Sequence, residues 1–488
     1  MNNNTYNADI GLEVHVELAT RSKMFCSCAV VDTTTAAPNS SVCEVCCGMP
    51  GTLPVINRSA VELAMRAALA LNCSVVKTSV FARKNYFYPD LPKGYQISQY
   101  EYPLAVSGFI TISTSAGEKK IRVRRAHLEE DTGKLTHIDD KGEAYSLVDL
   151  NRAGVPLLEI VSEPDMHSIE DVRAYSRNLR AILRWLGVSS GDMEKGTMRF
   201  EANLSMRPQG SEELGTRVEI KNLNSFKAME QAILYQMDIQ RARLDRGEPV
   251  RQQTLGWDEN SGKTIIQRSK EDANDYRYFP EPDLPPLVVE NAWIEQVKAA
   301  TPELPDARRI RYLKNYGFNH EDIERLLEDK PVCDYFEACL TAAPKLSPKK
   351  IVNWLLTDLF AWLNLKGKPF AEMNLPPEAF VELVAVVDNG TITQNTGKEV
   401  LTVMLDSGKS AEAIITEKGL RQVSDGKLIH EMIAKAIRDN PVEVQSFMNG
   451  KDTVGNWLFG QVMRATQGKA NPQLIRQELN RQLENLKK

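Results

Sequence analysis

Apolar and polar residues alternate over several stretches in the first half of the chain. In Ile10–Leu18 every second residue is apolar, and Glu13 and His15 lie among the residues between them. This is the period of a β-strand with one buried face. Met198–Arg207 and Arg217–Lys221 show the same period, so each is predicted to form a strand.

Other stretches carry apolar residues three and four positions apart, which is the period of an α-helix. They include Arg58–Asn72 and Ile169–Leu186 among the predicted strands, and His320–Leu327 and Lys350–Leu365 further along. The proline-rich segment Phe279–Pro286 between these groups is predicted to be extended and to end the first domain. The pattern predicts an α+β fold, with a mixed-sheet domain over 1–293, an all-α region over 294–410 and a small α-helical tail domain over 411–488.

Composition narrows the class of protein. The chain has 488 residues, of which 42% are hydrophobic and 26% charged, which is typical of a globular protein and unlike a disordered or collagen-like chain. It contains no secretory signal and no uninterrupted apolar stretch of about 18 residues, so a cytoplasmic protein outside the membrane is expected. The net charge is −5, but residues 411–488 hold 12 Lys and Arg against 9 Asp and Glu, which makes this tail the better candidate for binding a polyanion.

Five of the eight cysteines fall between positions 26 and 47. Cys26 and Cys28 form one closely spaced pair, and Cys43 and Cys46 form another, so two short turns offer four thiolates. This spacing predicts a closed, structural zinc site, because tetrahedral zinc binds four such ligands. The alternative is a group of reduced cysteines without metal, and Cys47 adds a fifth thiol that could compete as a ligand.

Carboxylates and histidines are the candidates for catalysis. Glu13 and His15 lie two positions apart and project from the same face of their strand, where they could bind a cation or act as acid and base. The alternative is that this face of the strand is simply exposed to solvent and has no binding or catalytic function. Three adjacent carboxylates occupy 129–131, and Glu159 interrupts the apolar run Pro156–Val161, where an ionised carboxylate needs a partner. Mg²⁺ is the natural partner, and it commonly also binds substrate phosphate.

Basic and aromatic residues interleave in Arg83–Tyr95 and again in Gln267–Phe279. Such loops could bind phosphate through Arg83 and Lys84 and stack a base on tyrosine, or they could simply be surface loops. Gly256–Thr264 resembles a P-loop, but its spacer is one residue too long and contains two carboxylates. A nucleotide would therefore be bound in another architecture.

Together these segments resemble one family, the B subunits of the aspartyl/glutamyl-tRNA amidotransferases, or GatB. The resemblance follows nearly the whole chain in order. It rests on IGLEVHVEL at 10–18, CEVCCGMPGTLPVIN at 43–57, RKNYFYPDLPKGYQISQ at 83–99, HLEEDTGK at 127–134, NRAGVPLLEIVSEPD at 151–165, EIKNLNSF at 219–226, DANDYRYFPEPDLPPL at 272–287 and GQVMRATQGKANPQ at 460–473.

The resemblance implies an ATP-dependent ligase of protein biosynthesis. Members of the family phosphorylate the side-chain carboxylate of misacylated Glu-tRNA(Gln) or Asp-tRNA(Asn) with ATP and then replace the phosphate with ammonia. The ammonia arrives through a tunnel from a glutaminase partner, the amidase subunit, and a small third subunit completes the heterotrimer. The first domain resembles the family's kinase-like cradle, and the last resembles its YqeY-like tRNA-binding tail.

The resemblance also implies roles for individual residues. His15, Glu130 and Glu159 match the family's magnesium ligands, with Glu13 beside them as a further catalytic residue. The two cysteine pairs match the zinc site that some members carry. Glu201 occupies a position where the family more often has Asp. Contacts to ATP or substrate are further expected from Arg152, Arg199, Glu201 and Asn203. For Arg83 and Lys84 the expected phosphate contacts are inferred from the residues themselves and are not carried over from the family.

Two other functions fit part of the pattern. A non-catalytic zinc-containing RNA-binding protein would explain the cysteine pairs and the basic loops, but it gives no role to Glu13, Glu130 and Glu159. A magnesium-dependent ligase acting on a small metabolite would turn over without tRNA. The sequence contains no amidase or glutaminase motif, so we expect the ammonia to come from another chain.

Overall fold

The computed structural model describes residues 6–140, 142–269, 275–421, 426–448, 453–465 and 472–487. Two compact units make up the chain, Met1–Pro305 and Asp306–Lys488. Parts of two runs that carry the family resemblance, 272–274 and 466–471, lie outside the described residues. The division into three domains stays a prediction.

Within the described ranges, the strands all belong to the first unit. They are β1 (Tyr6–Glu17), β2 (Ser74–Val75), β3 (Thr78–Ser79), β4 (Phe81–Asn85), β5 (Tyr95–Gln99), β6 (Ala105–Thr114), β7 (Gly117–Glu130), β8 (Lys134–Asp140), β9 (Glu143–Asp149), β10 (Pro156–Ser162), β11 (Met198–Pro208), β12 (Val218–Leu223), β13 (Gln253–Asp258), β14 (Lys263–Ser269), β15 (Phe279–Pro280) and β16 (Leu287–Val288). The helices are α1 (Arg58–Ala70), α2 (Ile169–Trp185), α3 (Phe226–Asp245), α4 (Asn291–Ala299), α5 (Pro305–Tyr316), α6 (His320–Leu327), α7 (Lys330–Ala342), α8 (Pro348–Asn353), α9 (Phe360–Lys366), α10 (Pro377–Asp388), α11 (Gln394–Ser407), α12 (Ala411–Glu417), α13 (Gly426–Asp439), α14 (Pro441–Met448), α15 (Thr453–Ala465) and α16 (Pro472–Lys487).

A nine-stranded sheet is the centre of the first unit. Its strand order is β14-β13-β12-β11-β1-β10-β7-β6-β2, and β12 and β13 run parallel while the other neighbours run antiparallel. The predicted α+β class with a mixed sheet is therefore confirmed. The apolar residues of β1, such as Leu12 and Val14, are fully buried in a core shared with α1, α2 and α3. The opposite face of the sheet carries the polar residues.

Side-chain caps begin the three helices that cover the sheet. Asn57 accepts hydrogen bonds from the first turn of α1, Ser168 from Asp171 of α2, and Ser225 from Ala228 of α3. These oxygens satisfy backbone donors that have no partner within the helix. The predicted β1, α1 and α2 are confirmed to within a few residues.

The second unit is helical over the residues that the structure describes. The predicted helix Lys350–Leu365 forms as part of α8, a π-helical segment Trp354–Leu359 and α9, which follow one another without a break. In the tail, apolar residues of α13, α15 and α16, among them Ile433, Leu458 and Leu479, form a separate small core. No helix in the described ranges combines the length and the apolar character needed to span a membrane.

Candidate active site

The register of three strands brings predicted site residues together on the polar face of the sheet. Strand β1 lies between β10 and β11 and runs antiparallel to both. His15 lies opposite Glu159 on β10 and Arg199 on β11, while Glu13 lies opposite Glu201. Because side chains alternate along a strand, the residues between these face the core instead.

His15, Glu129 and Glu159 form the first group of potential metal ligands, which we call the His15 cluster. The Nε2 atom of His15 lies 3.5 Å from Glu159 Oε2 and 3.7 Å from Glu129 Oε1. One ligand atom from each residue lies within 4.8 Å of the other two. His127 supports the group from β7, since its Nε2 lies 3.4 Å from Glu159 Oε2.

Mutual electrostatic stabilisation fixes the charge states in the His15 cluster. Burial alone would lower the pKa of His15, but hydrogen bonding and charge from Glu159, with the charges of Glu201 and Glu129, raise it to about 9. Burial alone would raise the pKa of Glu159, but His127 and His15 hold it well below its usual value. Glu159 is therefore an anion, as a ligand of a divalent cation must be.

Glu130 does not join this cluster, although the sequence predicted it as a magnesium ligand. Its side chain projects from the other face of β7, where it pairs with Lys93 and accepts a hydrogen bond from the Ile97 amide at 2.9 Å. It lines a separate cavity of about 230 Å³ beside the cysteines. Glu129 occupies the place beside His15. The two-residue spacing from His127 is the sequence signal for this placement, because it puts Glu129 and His127 on one face.

Glu13, Glu201 and Glu219 form a second group of potential ligands, the Glu13 cluster. Asn203 donates a hydrogen bond from Nδ2 to Glu13 Oε1 at 2.8 Å. Lys221 lies 2.8 Å from Glu201 and 3.3 Å from Glu219. Burial and the charges of Glu159 and Glu201 raise the pKa of Glu13, so this cluster holds excess negative charge that a cation would relieve. Sequence reasoning missed Glu219, which alternation places with Lys221 on this face of β12.

The predicted basic residues divide between two locations. Lys84 lines the cavity with the two clusters, whereas Arg83, the preceding residue on β4, forms hydrogen bonds of 2.7 and 2.8 Å with Glu281 outside it. Arg199 lies 2.9 Å from Asp131, and Arg152 lies 3.6 Å from the same carboxylate. Arg199 therefore borders the cavity directly, while Arg152 contacts it only through lining residues, namely Asp131 and the Thr132 carbonyl, to which it donates a hydrogen bond at 3.1 Å.

The cavity that contains these residues has a volume of about 340 Å³ and a mainly polar lining. Both clusters, four cationic side chains and several tyrosines contribute to it. Oxygen-rich donor sets with one imidazole suit Mg²⁺ or Mn²⁺, and the open volume leaves room for water and phosphate ligands. The donors present therefore fit the predicted magnesium ion.

The four paired cysteines converge as predicted. The sulfur atoms of Cys26, Cys28, Cys43 and Cys46 all lie within 4.8 Å of one another, and all four residues come from loops. This all-sulfur donor set fits tetrahedral zinc. The Nζ atom of the fully buried Lys23 lies 3.6 Å from Cys46 Sγ, where its charge would offset that of the thiolates. Cys47 lies beside this set but outside it.

The loop between the two cysteine pairs is hydrogen-bonded to the segment that carries Arg152. Asn39 donates from Nδ2 to the Val148 carbonyl at 2.9 Å, and its Oδ1 accepts from the Leu150 amide at 2.8 Å. The Ser41 amide donates to Asn151 Oδ1 at 2.8 Å. These hydrogen bonds connect the cysteine loop to the segment that immediately precedes Arg152 in the chain.

Comparison with protein families identifies the family to which the chain belongs. The model of the GatB/GatE catalytic domain matches residues 8–295, which contain both clusters and the four cysteines. A second model, described as the GatB domain, matches residues 334–483. The chain belongs to the GatB family. The resemblance inferred from the sequence is therefore confirmed.

Curated relatives match over nearly their full lengths, and each is the B subunit of an aspartyl/glutamyl-tRNA(Asn/Gln) amidotransferase. The chain is 50% identical over 470 residues to the relative from Thermodesulfovibrio yellowstonii, which covers 96% of this chain and 98% of the relative. The relative from Roseiflexus sp. is 48% identical over 482 residues, covering 98% of each chain. That of Thermotoga maritima is 45% identical over 481 residues, covering 98% of this chain and 99% of the relative.

Proposed function

We propose that this chain is the tRNA-amidating subunit of a glutamine-dependent amidotransferase, a ligase that uses ATP. Its substrates would be misacylated Glu-tRNA(Gln), Asp-tRNA(Asn) or both. The observation that carries the proposal is the pairing of the His15 and Glu13 clusters in one cavity that also holds Lys84, Arg199 and Lys221. Phosphoryl transfer needs mainly this combination of metal ligands and cations around the transferred group.

In the first step an oxygen of the aminoacyl side-chain carboxylate attacks the γ-phosphorus of ATP, and the bond to ADP breaks. Bound Mg²⁺ would neutralise charge on the transferred group. The His15 cluster would hold it, with Glu129 in place of the predicted Glu130, and the Glu13 cluster offers a second position. Lys84 and Arg199 bind and orient the anionic groups of the substrates. Residues 1–293 would therefore act as a kinase-like cradle, because they would bind ATP and transfer its γ-phosphoryl group.

In the second step the nitrogen of ammonia attacks the acyl carbon of the phosphorylated intermediate. The carbon–oxygen bond to phosphate breaks, the nitrogen loses a proton, and the side-chain amide results. Ammonia would come from the amidase subunit, with the small third subunit completing a heterotrimer. Zinc held by the four cysteines would be structural, because no position remains for a substrate.

Formation of the phosphorylated aminoacyl-tRNA, measured with ATP but without an ammonia donor, tests the proposal. The wild-type chain in complex with its amidase and small partners should form it with one or both misacylated tRNAs, and glutamine should convert it to the amide. Turnover without tRNA would indicate a small-metabolite ligase instead. Binding of tRNA without phosphorylation would indicate the non-catalytic RNA-binding protein.

The tail, residues 411–488, is proposed to bind tRNA through its net positive charge. Truncation after Ser410 should weaken tRNA binding and reduce its salt dependence, because fewer counterions are released from phosphates. Basal ATP hydrolysis should persist. An unchanged affinity for tRNA would assign RNA binding to the first unit instead.

A further inference from the structure

Tyrosines form one wall of the active-site cavity. Tyr100 and Tyr278 stack in parallel, with ring centroids 4.2 Å apart and planes inclined by 8°. Tyr276 meets Tyr278 edge-on at 6.1 Å and Tyr86 edge-on at 5.9 Å. All four rings line the cavity that holds the two clusters. The mechanism above assigns no task to any of them.

Backbone contacts hold the segment that carries Tyr276 and Tyr278. Asn85, at the end of β4, donates from its amide to the Tyr276 carbonyl at 2.9 Å and from Nδ2 to the Arg277 carbonyl at 2.9 Å. Arg277 has a φ of 43°, in the left-handed region that non-glycine residues seldom adopt. The fold therefore maintains a strained residue between two tyrosines that both face the cavity, which indicates a purpose beyond packing.

The stacked pair of Tyr100 and Tyr278 remains partly exposed to solvent. Tyr278 covers one face of the Tyr100 ring, yet 48% of Tyr100 remains exposed to solvent. Lys84 lies further along the wall, with Nζ 5.1 Å from the centre of the Tyr276 ring. Exposed aromatic rings along a wall that also carries a cation are the arrangement that binds a nucleobase while the cation binds its phosphates.

We propose that Tyr100 and Tyr278 form a stacking platform for an adenine base, an inference that rests on the proposed function. Two substrates of that reaction present adenine, namely ATP and the 3′-terminal adenosine of tRNA. The base is linked to the reacting group in both, through the triphosphate or through the ester of the terminal ribose. A base held on the platform therefore positions the group that reacts at the two clusters.

The test uses the complex with the amidase and small partners and compares four variants. Tyr100→Ala and Tyr278→Ala remove a ring, whereas Tyr100→Phe retains the stacking surface and removes only the hydroxyl. Tyr102→Ala is the matched control, because Tyr102 is similarly exposed at 56% but does not line the cavity. One arm measures the KM for ATP. The other measures the affinity for tRNA carrying fluorescent 2-aminopurine in place of its terminal adenine, together with the quenching of that base on binding.

Loss of one stacking ring should weaken binding of the base about five-fold or more. We expect Tyr100→Ala and Tyr278→Ala to do so in one arm, while Tyr100→Phe and Tyr102→Ala remain within about two-fold of the wild type. The arm that changes identifies the substrate whose adenine is bound. Unchanged KM, affinity and quenching in both alanine variants would overturn the platform. Failure of the wild-type complex to amidate would overturn the proposed function alone, since the platform can then be measured without catalysis, from the quenching of 2-aminopurine in the tRNA arm and from the equilibrium affinity for ATP in the other arm.

Discussion

The first unit holds two kinds of potential metal-ligand group, which differ in donor atoms, in supporting structure and in access to a cavity. The cysteine cluster is a closed set of four sulfurs supplied by loops. The His15 cluster has three nitrogen and oxygen donors supplied by neighbouring strands, and it opens into a cavity of about 340 Å³. A closed set leaves no position for a reactant, whereas an incomplete set leaves several.

The structures that hold the two ligand groups in place also differ, since one group lies on strands and the other on loops. Strands β1, β7 and β10 fix the His15 cluster by sheet hydrogen bonds over a buried core, so the donors keep their places without a metal. The cysteine loops lack such a ladder and depend on contacts such as those of Asn39 and Ser41. Removing metal from the first group should therefore stop chemistry, and removing it from the second should loosen structure.

The largest effect is expected from Glu159→Gln, which keeps the shape of the side chain and removes a negative ligand. Formation of the phosphorylated aminoacyl-tRNA should fall by roughly two to three orders of magnitude, the equivalent of several kcal/mol of transition-state stabilisation. Glu163→Gln is the matched control, because Glu163 pairs with the exposed Arg124 at 2.7 Å instead. His15→Ala should resemble Glu159→Gln. Wild-type rates in both would place the active site elsewhere.

A smaller effect on the rate of phosphorylation is expected from substitutions of Glu129 and Glu130, the two adjacent glutamates of β7, and it should differ between them. Glu129→Gln removes a ligand from the His15 cluster and should slow phosphorylation by roughly ten- to a hundred-fold. Glu130→Gln changes a residue on the opposite face and should slow the same step by less than about three-fold. The reverse order, measured in single turnovers without an ammonia donor, would restore Glu130 as the ligand.

Cys43→Ser should affect structure more than chemistry. The purified wild-type chain is expected to contain about one zinc per molecule, and the variant to lose it together with several degrees of thermal stability. Cys47→Ser, outside the cluster, should keep both zinc and stability. A stable and active wild-type protein that contains no zinc by elemental analysis would refute the structural site.

The smallest effect is expected in the pH dependence of the free energy of unfolding of the metal-free protein. The pKa of His15 is raised from 6.5 to about 9, so protonated His15 stabilises the fold fully below pH 6.5 and this contribution is lost as the pH rises through 9. The free energy of unfolding should fall over that range by at most about 1.4 kcal/mol per pH unit. His15→Gln should remove this dependence. Urea denaturation in a chelating buffer measures it, and equal slopes in both proteins would contradict the assignment.

Local periodicity predicted the strand that carries Glu13 and His15 and the face from which they project. The same periodicity also distinguishes Glu129 from Glu130 as the partner of His15. Residues on the same face of a strand as His127 must lie an even number of positions away from it, and only Glu129 does. Local pattern does not give the register that places Glu159 and Glu201 opposite His15 and Glu13, since those pairings join residues far apart in sequence. The π-helical segment Trp354–Leu359 likewise lay outside what a helical period predicts.

The central position of β1 has a consequence for how the protein is made. This strand precedes both of its neighbours in the chain, and they are complete only at Ser162 and Pro208. At a ribosomal rate of about 5 to 20 residues per second, β1 waits roughly 10 to 40 s for its second partner. Until β10 is complete both edges of β1 are unpaired, and one edge stays unpaired until β11 is complete, so the nascent chain exposes a strand edge of the kind that chaperones shield.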